Sequence, residues 1–172
     1  MTTVLVTGPI GGGKSAACSH LAAKGFPVYD CDSRCKALYD EVPGLKRQIG
    51  QELGIPFSQL PRIFTEPALR ERLEAIVYPL LKEDILNWKS SLEAPLAFIE
   101  SAVALQKPLF DDTYDKVLLI TAPLELRQSR NGAAAVRSPL QRFPRSRIDR
   151  TIRNLTTKES LYKKVDKYIE SL

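Results

Sequence analysis

The feature that most constrains the fold of this chain is a glycine-rich segment near its start, directly after a short apolar run. Residues 8–15 read Gly-Pro-Ile-Gly-Gly-Gly-Lys-Ser and fit the pattern G-x-x-x-x-G-K-[ST] at every fixed position. The apolar pattern predicts a buried strand over residues 3–6 and a helix over residues 16–23. A strand, a glycine loop and a helix in this order predict a phosphate-binding loop.

Each residue type in this loop has a chemical reason. Glycines allow successive backbone N–H groups to turn inward around phosphate oxygens, at φ values that a Cβ disfavours. Lys14 supplies a mobile charge for the β and γ phosphates, and Ser15 offers a hydroxyl to Mg²⁺. The following helix points the positive end of its dipole at the same anion. We therefore expect a bound nucleoside triphosphate, held by Gly8, Ile10, Gly11, Gly12, Gly13, Lys14, Ser15 and Ala16.

Length and charge narrow the class of protein. The chain has 172 residues and a formal net charge of +5, which suits one globular domain with anionic ligands. No apolar run approaches the roughly 20 residues of a membrane span, and the start lacks a secretory signal, so we expect a cytoplasmic protein without a membrane partner. The cysteine count is three, without metal-site spacing, which predicts free thiols.

The order of apolar segments predicts a doubly wound α/β domain with a parallel sheet of about five strands. Between the second and third strands, helical patterns predict an insertion, in whose longest helix Tyr78-Pro79 is expected to form a kink or a break. The predicted strands cover residues 4–6, 26–29, 96–99, 117–121 and 165–169. The predicted helices of the insertion cover residues 33–40, 44–53 and 67–92.

An arginine-rich stretch follows the fourth predicted strand. From Arg127 to Arg153 the chain carries eight arginines, Arg137 among them, and Asp149 is the only acid. Guanidinium groups pair bidentately with phosphate, so this stretch predicts a lid over residues 127–150, with one to three arginines on phosphate. The alternative is a solvated basic surface.

The glycine loop and the segment after it carry a family resemblance. Residues 24–32 read Lys-Gly-Phe-Pro-Val-Tyr-Asp-Cys-Asp. Together with the loop they resemble the start of dephospho-coenzyme A kinases, which read T-G-G-I-G-S-G-K-S and then L-G-x-x-V-I-D-A-D. The similarity extends more loosely to Tyr78-Pro79-Leu80-Leu81, where the family has H-P-L-I, and to residues 117–123. Residues 165–169 stand where A-D-x-V-I is usual.

This resemblance implies a P-loop kinase-type, three-layer α/β/α fold. It places the core in residues 1–32, 94–126 and 151–172, a helical substrate-binding insertion in residues 33–93 and the lid in residues 127–150. It also implies transfer of the γ-phosphoryl of ATP to the ribose 3′-hydroxyl of dephospho-coenzyme A, the last step of coenzyme A synthesis, with Mg²⁺. Nucleic acid is not expected as a partner, because Phe143 is the only aromatic residue that interleaves usefully with the charges of the arginine-rich stretch.

The resemblance also implies roles for single residues. Lys14 and the loop amides hold phosphates, Ser15 ligates Mg²⁺, and Asp32 accepts or orients the proton of the attacking hydroxyl. The residues expected on the substrate are Asp30, Asp32, Tyr78 and Arg130. Alternation along a strand puts Asp30 and Asp32 on one side, and Cys31 on the other.

Several alternatives remain at this point. Asp32 can instead be the N-cap of a helix that starts at Ser33, and Glu100 can either hold Mg²⁺ through water or begin a solvated loop. The chain as a whole can be a P-loop kinase for another small-molecule hydroxyl, or a diverged nucleotide-binding paralogue with little activity. A dinucleotide-binding module is disfavoured because Lys14 and Ser15 follow the last glycine directly.

Overall fold

The computed structural model describes residues 1–134 and 142–172. The chain divides into two compact units, which are Met1–Asp30 with Leu92–Leu172, and Cys31–Ser91. The predicted division into core, insertion and lid stays a prediction. Residues 135–141 of the predicted lid, with Arg137, lie outside the described residues.

The first unit contains one parallel sheet with the strand order β2-β3-β1-β4-β5. The apolar strand before the glycine loop lies in the centre, where both faces are covered, which explains its unbroken apolar run. The predicted parallel sheet of about five strands is confirmed. The strands are β1 Thr2–Thr7, β2 Val28–Asp30, β3 Leu96–Glu100, β4 Lys116–Thr121 and β5 Arg150–Arg153.

The α-helices of the described residues fall in both units. The helices are α1 Lys14–Ala23, α2 Cys31–Glu41, α3 Leu45–Leu53, α4 Pro67–Ser90, α5 Leu124–Arg130 and α6 Lys158–Ile169. Helices α1, α5 and α6 belong to the first unit, and α2, α3 and α4 form the second.

Helices α1 and α6 pack on one face of the sheet. The strand residues on this face, such as Phe98 and Ile120, are fully buried against Leu21 of α1 and Val165 of α6. Burial of such side chains contributes about 1.5 to 3 kcal/mol each, so this layer fixes the start of α1 beneath the glycine loop.

The prediction of a strand over residues 165–169 is wrong. These residues end α6, because Leu161, Val165 and Tyr168 recur at the spacing of a helix and all three are buried. The last strand is β5, so residues 165–169, which stand where the family has A-D-x-V-I, form no strand here. The arginine-rich stretch therefore ends in a strand, and a helix follows it.

Two aspartates connect neighbouring strands at the amino-terminal edge of the sheet. Asp115, just before β4, accepts a hydrogen bond of 2.7 Å from the Thr3 N–H and donates its own N–H to the Thr3 carbonyl. Asp149, just before β5, makes the same pair of bonds with Val117. Each aspartate thus fixes the register of its strand against the preceding neighbour in the sheet.

The second unit is helical. Buried side chains at intervals of four residues run along α4 from Leu69 to Ile85, as the apolar stripe predicts. The helix continues through Pro79, so Tyr78-Pro79 does not split it, and the kink given as the other possibility stays a prediction. Arg34 of α2 binds Asp84 of α4 at 2.9 Å, which ties these two helices together.

No helix in the described ranges combines the length and the apolar character that crossing a membrane requires.

Candidate active site

The glycine loop between β1 and α1 has a backbone that only glycine adopts easily. Gly8 has φ of +146° and Gly13 has φ of +110°. A Cβ at Gly8 would overlap the carbonyl oxygen of Ile120, and a Cβ at Gly13 would overlap the amide nitrogen of the Asn154 side chain. The loop therefore needs glycine at these positions for its conformation and for its close packing against β4 and the chain after β5.

Asn154 holds the loop from the end of β5, and sequence reasoning missed it. Its Nδ2 donates to the Gly12 carbonyl at 3.0 Å, and its backbone N–H donates to the Thr121 carbonyl at 2.8 Å. Asn154 is 7% exposed. The sequence offers only a single asparagine after a strand as an indication of this role. A prediction that places the last strand at residues 165–169 does not put Asn154 after a strand.

Two arginines at the start of the predicted lid contact protein backbone. Arg127 is 8% exposed and donates from Nε to the Ala122 carbonyl at 3.0 Å, so it has a structural role. Arg130 is exposed at the end of α5, and its Nη1 lies 3.4 Å from the Gly11 carbonyl. Arg130 is thus the arginine of this helix whose charge reaches the glycine loop.

Lys14 and Ser15 begin α1 and carry the polar groups of the loop. The Lys14 ammonium donates to the carbonyls of Gly8 and Pro9, at 2.9 and 3.3 Å. Its charge therefore lies within the curve of the loop, where phosphate oxygens would compete with the two carbonyls. Ile10 and Ala16, also predicted on the nucleotide, are half-buried on either side of Gly13.

Beside Ser15 lies a pair of carboxylates at the carboxyl ends of two strands. The Ser15 hydroxyl donates to Glu100 Oε1 at 2.7 Å. Asp30 is paired in register with Glu100, because β2 and β3 are parallel neighbours that both end there. Glu100 is therefore the last residue of β3 and contacts Ser15, rather than only beginning a solvated loop, and its binding of Mg²⁺ stays a prediction.

The electrostatics of Glu100 reflect these neighbours. Burial raises the pKa of its carboxyl, and the negative charge of Asp30 raises it further. The hydrogen bond from Ser15 and the charge of Lys14 oppose this rise. A hydroxyl and two carboxylates form a set of hard oxygen donors, which is the donor type that Mg²⁺ prefers.

Asp32 and Tyr78 belong to the second unit. Helix α2 begins at Cys31, two residues earlier than predicted, so Asp32 is an exposed residue of its first turn rather than an N-cap. The strand β2 ends at Asp30, so the predicted alternation along a strand does not extend to Asp32 or to Cys31. Within this unit, burial raises the pKa of Tyr78, and the charges of Glu74 and Asp32 raise it further.

His20, the one histidine of the chain, lies on α1 outside this group of residues. Its ring stacks on Tyr162 of α6 with centroids 4.3 Å apart, and its Nε2 lies 2.8 Å from Asp166 Oδ1. His20 therefore helps to pack α1 against α6.

The comparison with protein families decides what this arrangement is. The family model for dephospho-CoA kinase matches residues 2–138, most of the chain. The chain belongs to the dephospho-CoA kinase family. The family consists of ATP-dependent kinases, and its reaction converts dephospho-CoA to coenzyme A in the final step of coenzyme A biosynthesis. The resemblance inferred from the glycine loop and residues 24–32 is thereby confirmed.

Individual relatives agree. A dephospho-CoA kinase of Porphyromonas gingivalis is 34% identical over 76% of this chain and 68% of its own length. One of Frankia casuarinae is 37% identical over 76% of this chain and 61% of its own length. These alignments span about two thirds of the relatives' lengths.

Solved structures confirm the P-loop kinase fold. The TT1252 protein of Thermus thermophilus is similar with a TM-score of 0.78 and 28% identity, over 99% of this chain and 97% of that one. A shikimate kinase of Acinetobacter baumannii shares the fold, with a TM-score of 0.57 and 19% identity, over 99% of this chain and 94% of that one.

Proposed function

We propose that this chain itself carries out the family's reaction: transfer of the γ-phosphoryl of ATP to the ribose 3′-hydroxyl of dephospho-CoA, in the cytoplasm. The observation that carries the proposal is the placement of Ser15 and the Glu100–Asp30 carboxylates beside the phosphate loop. A loop that only bound phosphate would need no carboxylates at this position, because their charge repels the anion.

The loop supplies the phosphate-binding step. Its left-handed glycines turn backbone N–H groups inward, and the dipole of α1 adds positive potential at the same point. Lys14 now binds two loop carbonyls, and we expect it to exchange them for β and γ phosphate oxygens. Arg130 lies at the Gly11 carbonyl and can neutralise charge on the transferring group.

The donors beside the loop fit Mg²⁺. Ser15 would hold the ion directly, and Glu100, with Asp30, would hold it directly or through water. When bound, Mg²⁺ neutralises charge on the β and γ phosphates. The Ser15 hydroxyl must then turn its proton away from the ion, and the present bond to Glu100 already directs it toward a carboxylate.

The acceptor side of the reaction is assigned to Asp32 and Tyr78. Asp32 accepts or orients the proton of the 3′-hydroxyl, a task for which an exposed carboxylate is suited because its oxygens accept hydrogen bonds. Tyr78 stands where the family commonly has histidine, and it remains a neutral hydrogen-bonding phenol because burial and nearby negative charges raise its pKa. Asp30 completes the proposed substrate contacts.

A coupled ADP-release assay with Mg²⁺-ATP tests this proposal. It compares dephospho-CoA with a panel of nucleosides and sugars, for the wild type and for Lys14→Ala and Asp32→Asn. We expect turnover of dephospho-CoA alone and a loss of about 10³-fold in kcat/KM for each variant. Asp40→Asn, in the last turns of α2, is the matched control and should retain wild-type turnover.

Two results would contradict the proposal. Turnover of another acceptor without turnover of dephospho-CoA would indicate a kinase for a different small-molecule hydroxyl. Binding of ATP that depends on Lys14, without turnover of any acceptor, would indicate a nucleotide-binding paralogue.

A further inference from the structure

A second basic region lies at the free edge of the sheet, outside the phosphate loop. A groove of about 760 Å³ runs along β5, between the chain segment before this strand and helix α6. Five cationic side chains line it, and none of the described residues that line it is acidic. The cations are Arg145, Arg150, Arg153, Lys164 and Lys167. We call this feature the β5 groove.

Four of the five cations in the β5 groove form no bond that would hold the fold. Within the described ranges, Arg145, Arg150, Arg153 and Lys167 form no ion pair and no side-chain hydrogen bond with the protein. Arg147, in the same segment, shows the opposite situation, since it bonds the Leu105 carbonyl at 2.8 Å and Asp111 at 2.5 Å.

The acids near the groove are occupied elsewhere. Asp149 accepts from the Val117 N–H at 2.7 Å, and Asp166 binds Lys24 and His20 on α1. The cations of the groove are therefore left with a surplus of positive charge. Such a surplus repels itself, which costs stability unless an anion is bound.

The groove also offers an apolar surface. Leu119, Ile148 and Phe143 line it beside the cations, and all three are half-buried. A flat aromatic ring can lie on this surface while phosphates reach the arginines. Its volume falls within the range of pockets that take small molecules, about 300 to 1,000 Å³.

We propose that the β5 groove binds a nucleoside di- or triphosphate at a second site, separate from the phosphate loop. The arginines and lysines bind the phosphates, and the base lies on the apolar surface. The site shares no residue with the predicted nucleotide-binding loop, and the proposal does not depend on the reaction that the loop supports.

A link between the two sites is built into the chain. Lys164 donates to the Arg153 carbonyl at 2.8 Å, and the next residue, Asn154, holds the Gly12 carbonyl. A phosphate that binds Lys164 breaks its hydrogen bond to Arg153, the residue before Asn154. Occupation of the groove should therefore alter the affinity of the loop for ATP.

Calorimetric titration of the full chain with ATP, without Mg²⁺, tests the proposal. We expect two equivalents of ATP for the wild type and one for Lys14→Ala, in which the loop is disabled. In the Lys14→Ala background, Arg150→Glu with Lys167→Glu should weaken the remaining binding by at least about tenfold. The matched control is Lys163→Glu, an exposed lysine of α6 outside the groove, which should keep it.

A further variant controls for a loss of folding. Arg145→Glu changes a residue outside the strands and α-helices, so it tests the groove with little risk to the sheet. It should weaken binding of ATP to the Lys14→Ala protein by several-fold. Inorganic tripolyphosphate serves as a second probe, and it should bind more weakly than ATP because it lacks the base.

Three outcomes would overturn the proposal. The first is a single equivalent of ATP that Lys14→Ala abolishes. The second is an equal loss for Lys163→Glu, which would show diffuse attraction by surface charge. The third is displacement of ATP by a ten-nucleotide RNA at lower concentration than by ADP, which would make the groove a nucleic-acid surface.

Discussion

The phosphate loop and the β5 groove are two anion-directed regions of one unit, and they are built by opposite means. The loop consists of rigid backbone, whose glycines pack against Ile120 and Asn154. Its donors are backbone N–H groups, and side chains cannot take their place. The groove is formed by long cationic side chains at an exposed edge strand. Pre-organised donors lose little entropy on binding, whereas flexible arginines and lysines lose more.

The difference shows what determines selectivity. A backbone cradle recognises the shape of a phosphate chain and tolerates almost no substitution in its packing. A set of mobile charges recognises net charge and tolerates single changes, but it depends on ionic strength. The loop should therefore be sensitive to a single added methyl group, and the groove to salt.

The largest expected effect comes from Gly13→Ala, which tests the rigidity of the loop. The added Cβ overlaps the side-chain nitrogen of Asn154 at a φ of +110°, so we expect a loss of about 2 to 3 kcal/mol in unfolding free energy. ATP binding at the loop should fall by more than about tenfold. Thermal unfolding and calorimetry measure the two quantities.

Gly132→Ala is the control, because no neighbour lies within 4 Å of its added Cβ. A Gly13→Ala protein with wild-type stability and affinity would show that the loop adapts as freely as the groove.

The next effect concerns Glu100 and the dependence of Mg²⁺ affinity on pH. Burial raises the pKa of Glu100 in the folded protein. This carboxyl therefore gains a proton at a higher pH than an ordinary glutamate, whose pKa is about 4.3. Mg²⁺ affinity should therefore fall as pH drops through this raised pKa. Glu100→Gln should lower the affinity by about tenfold at neutral pH and remove this decline.

The measurement is the Mg²⁺ concentration for half-maximal turnover, followed as the pH is lowered from neutral toward the pKa of an ordinary glutamate. Glu93→Gln, an exposed glutamate before β3, should keep the wild-type profile. An unchanged profile in Glu100→Gln would remove Glu100 from the metal site.

A smaller effect is expected for Asn154→Ala. The variant loses the bond to the Gly12 carbonyl, which should cost about 1 to 2 kcal/mol of stability and a few-fold in ATP affinity. Combined with Gly13→Ala, it should be less harmful than the sum of the two changes, because the overlapping atom is gone. Strict additivity in this double-mutant cycle would contradict the packing described for the loop.

The last effect concerns the salt dependence of the β5 groove, and it needs no change in the groove itself. Raising KCl from about 50 to 500 mM should weaken ATP binding to the Lys14→Ala protein by about tenfold, since its exposed cations are screened. The loop, tested in the Arg150→Glu, Lys167→Glu protein, should change by less than about threefold. Equal salt dependence at both sites would remove the distinction drawn between them.

Sequence reasoning reached the loop because its chemistry is local. Eight consecutive residues carry the glycines, Lys14 and Ser15, and the flanking apolar runs place them between a strand and a helix. The central strands could likewise be predicted, since β1 and β4 contain unbroken apolar runs at residues 4–6 and 117–120.

The edge strand β5 could not be predicted, because it lacks such an apolar run. In β5 only Ile152 is buried, and the other residues are exposed and polar, so nothing in Arg150–Arg153 resembles an apolar strand. The apolar residues of α6 led to the prediction of a strand there instead. Asn154 was missed with the strand, because its contact with Gly12 spans 142 positions of the chain. The role of Arg127 was missed because its partner is the backbone carbonyl of Ala122, which no side-chain pattern reveals.

The paired aspartates at the amino-terminal edge of the sheet have a consequence for the opposite edge. Asp115 sets the height of β4 relative to β1, and Asp149 sets the height of β5 relative to β4. A strand has the same length per residue throughout, so an error of one residue at the bottom would displace the top by about 3.3 Å. Asn154 would then miss the Gly12 carbonyl. Two carboxylates at the start of their strands thus determine whether the other end of the sheet, which carries the phosphate loop, is in alignment.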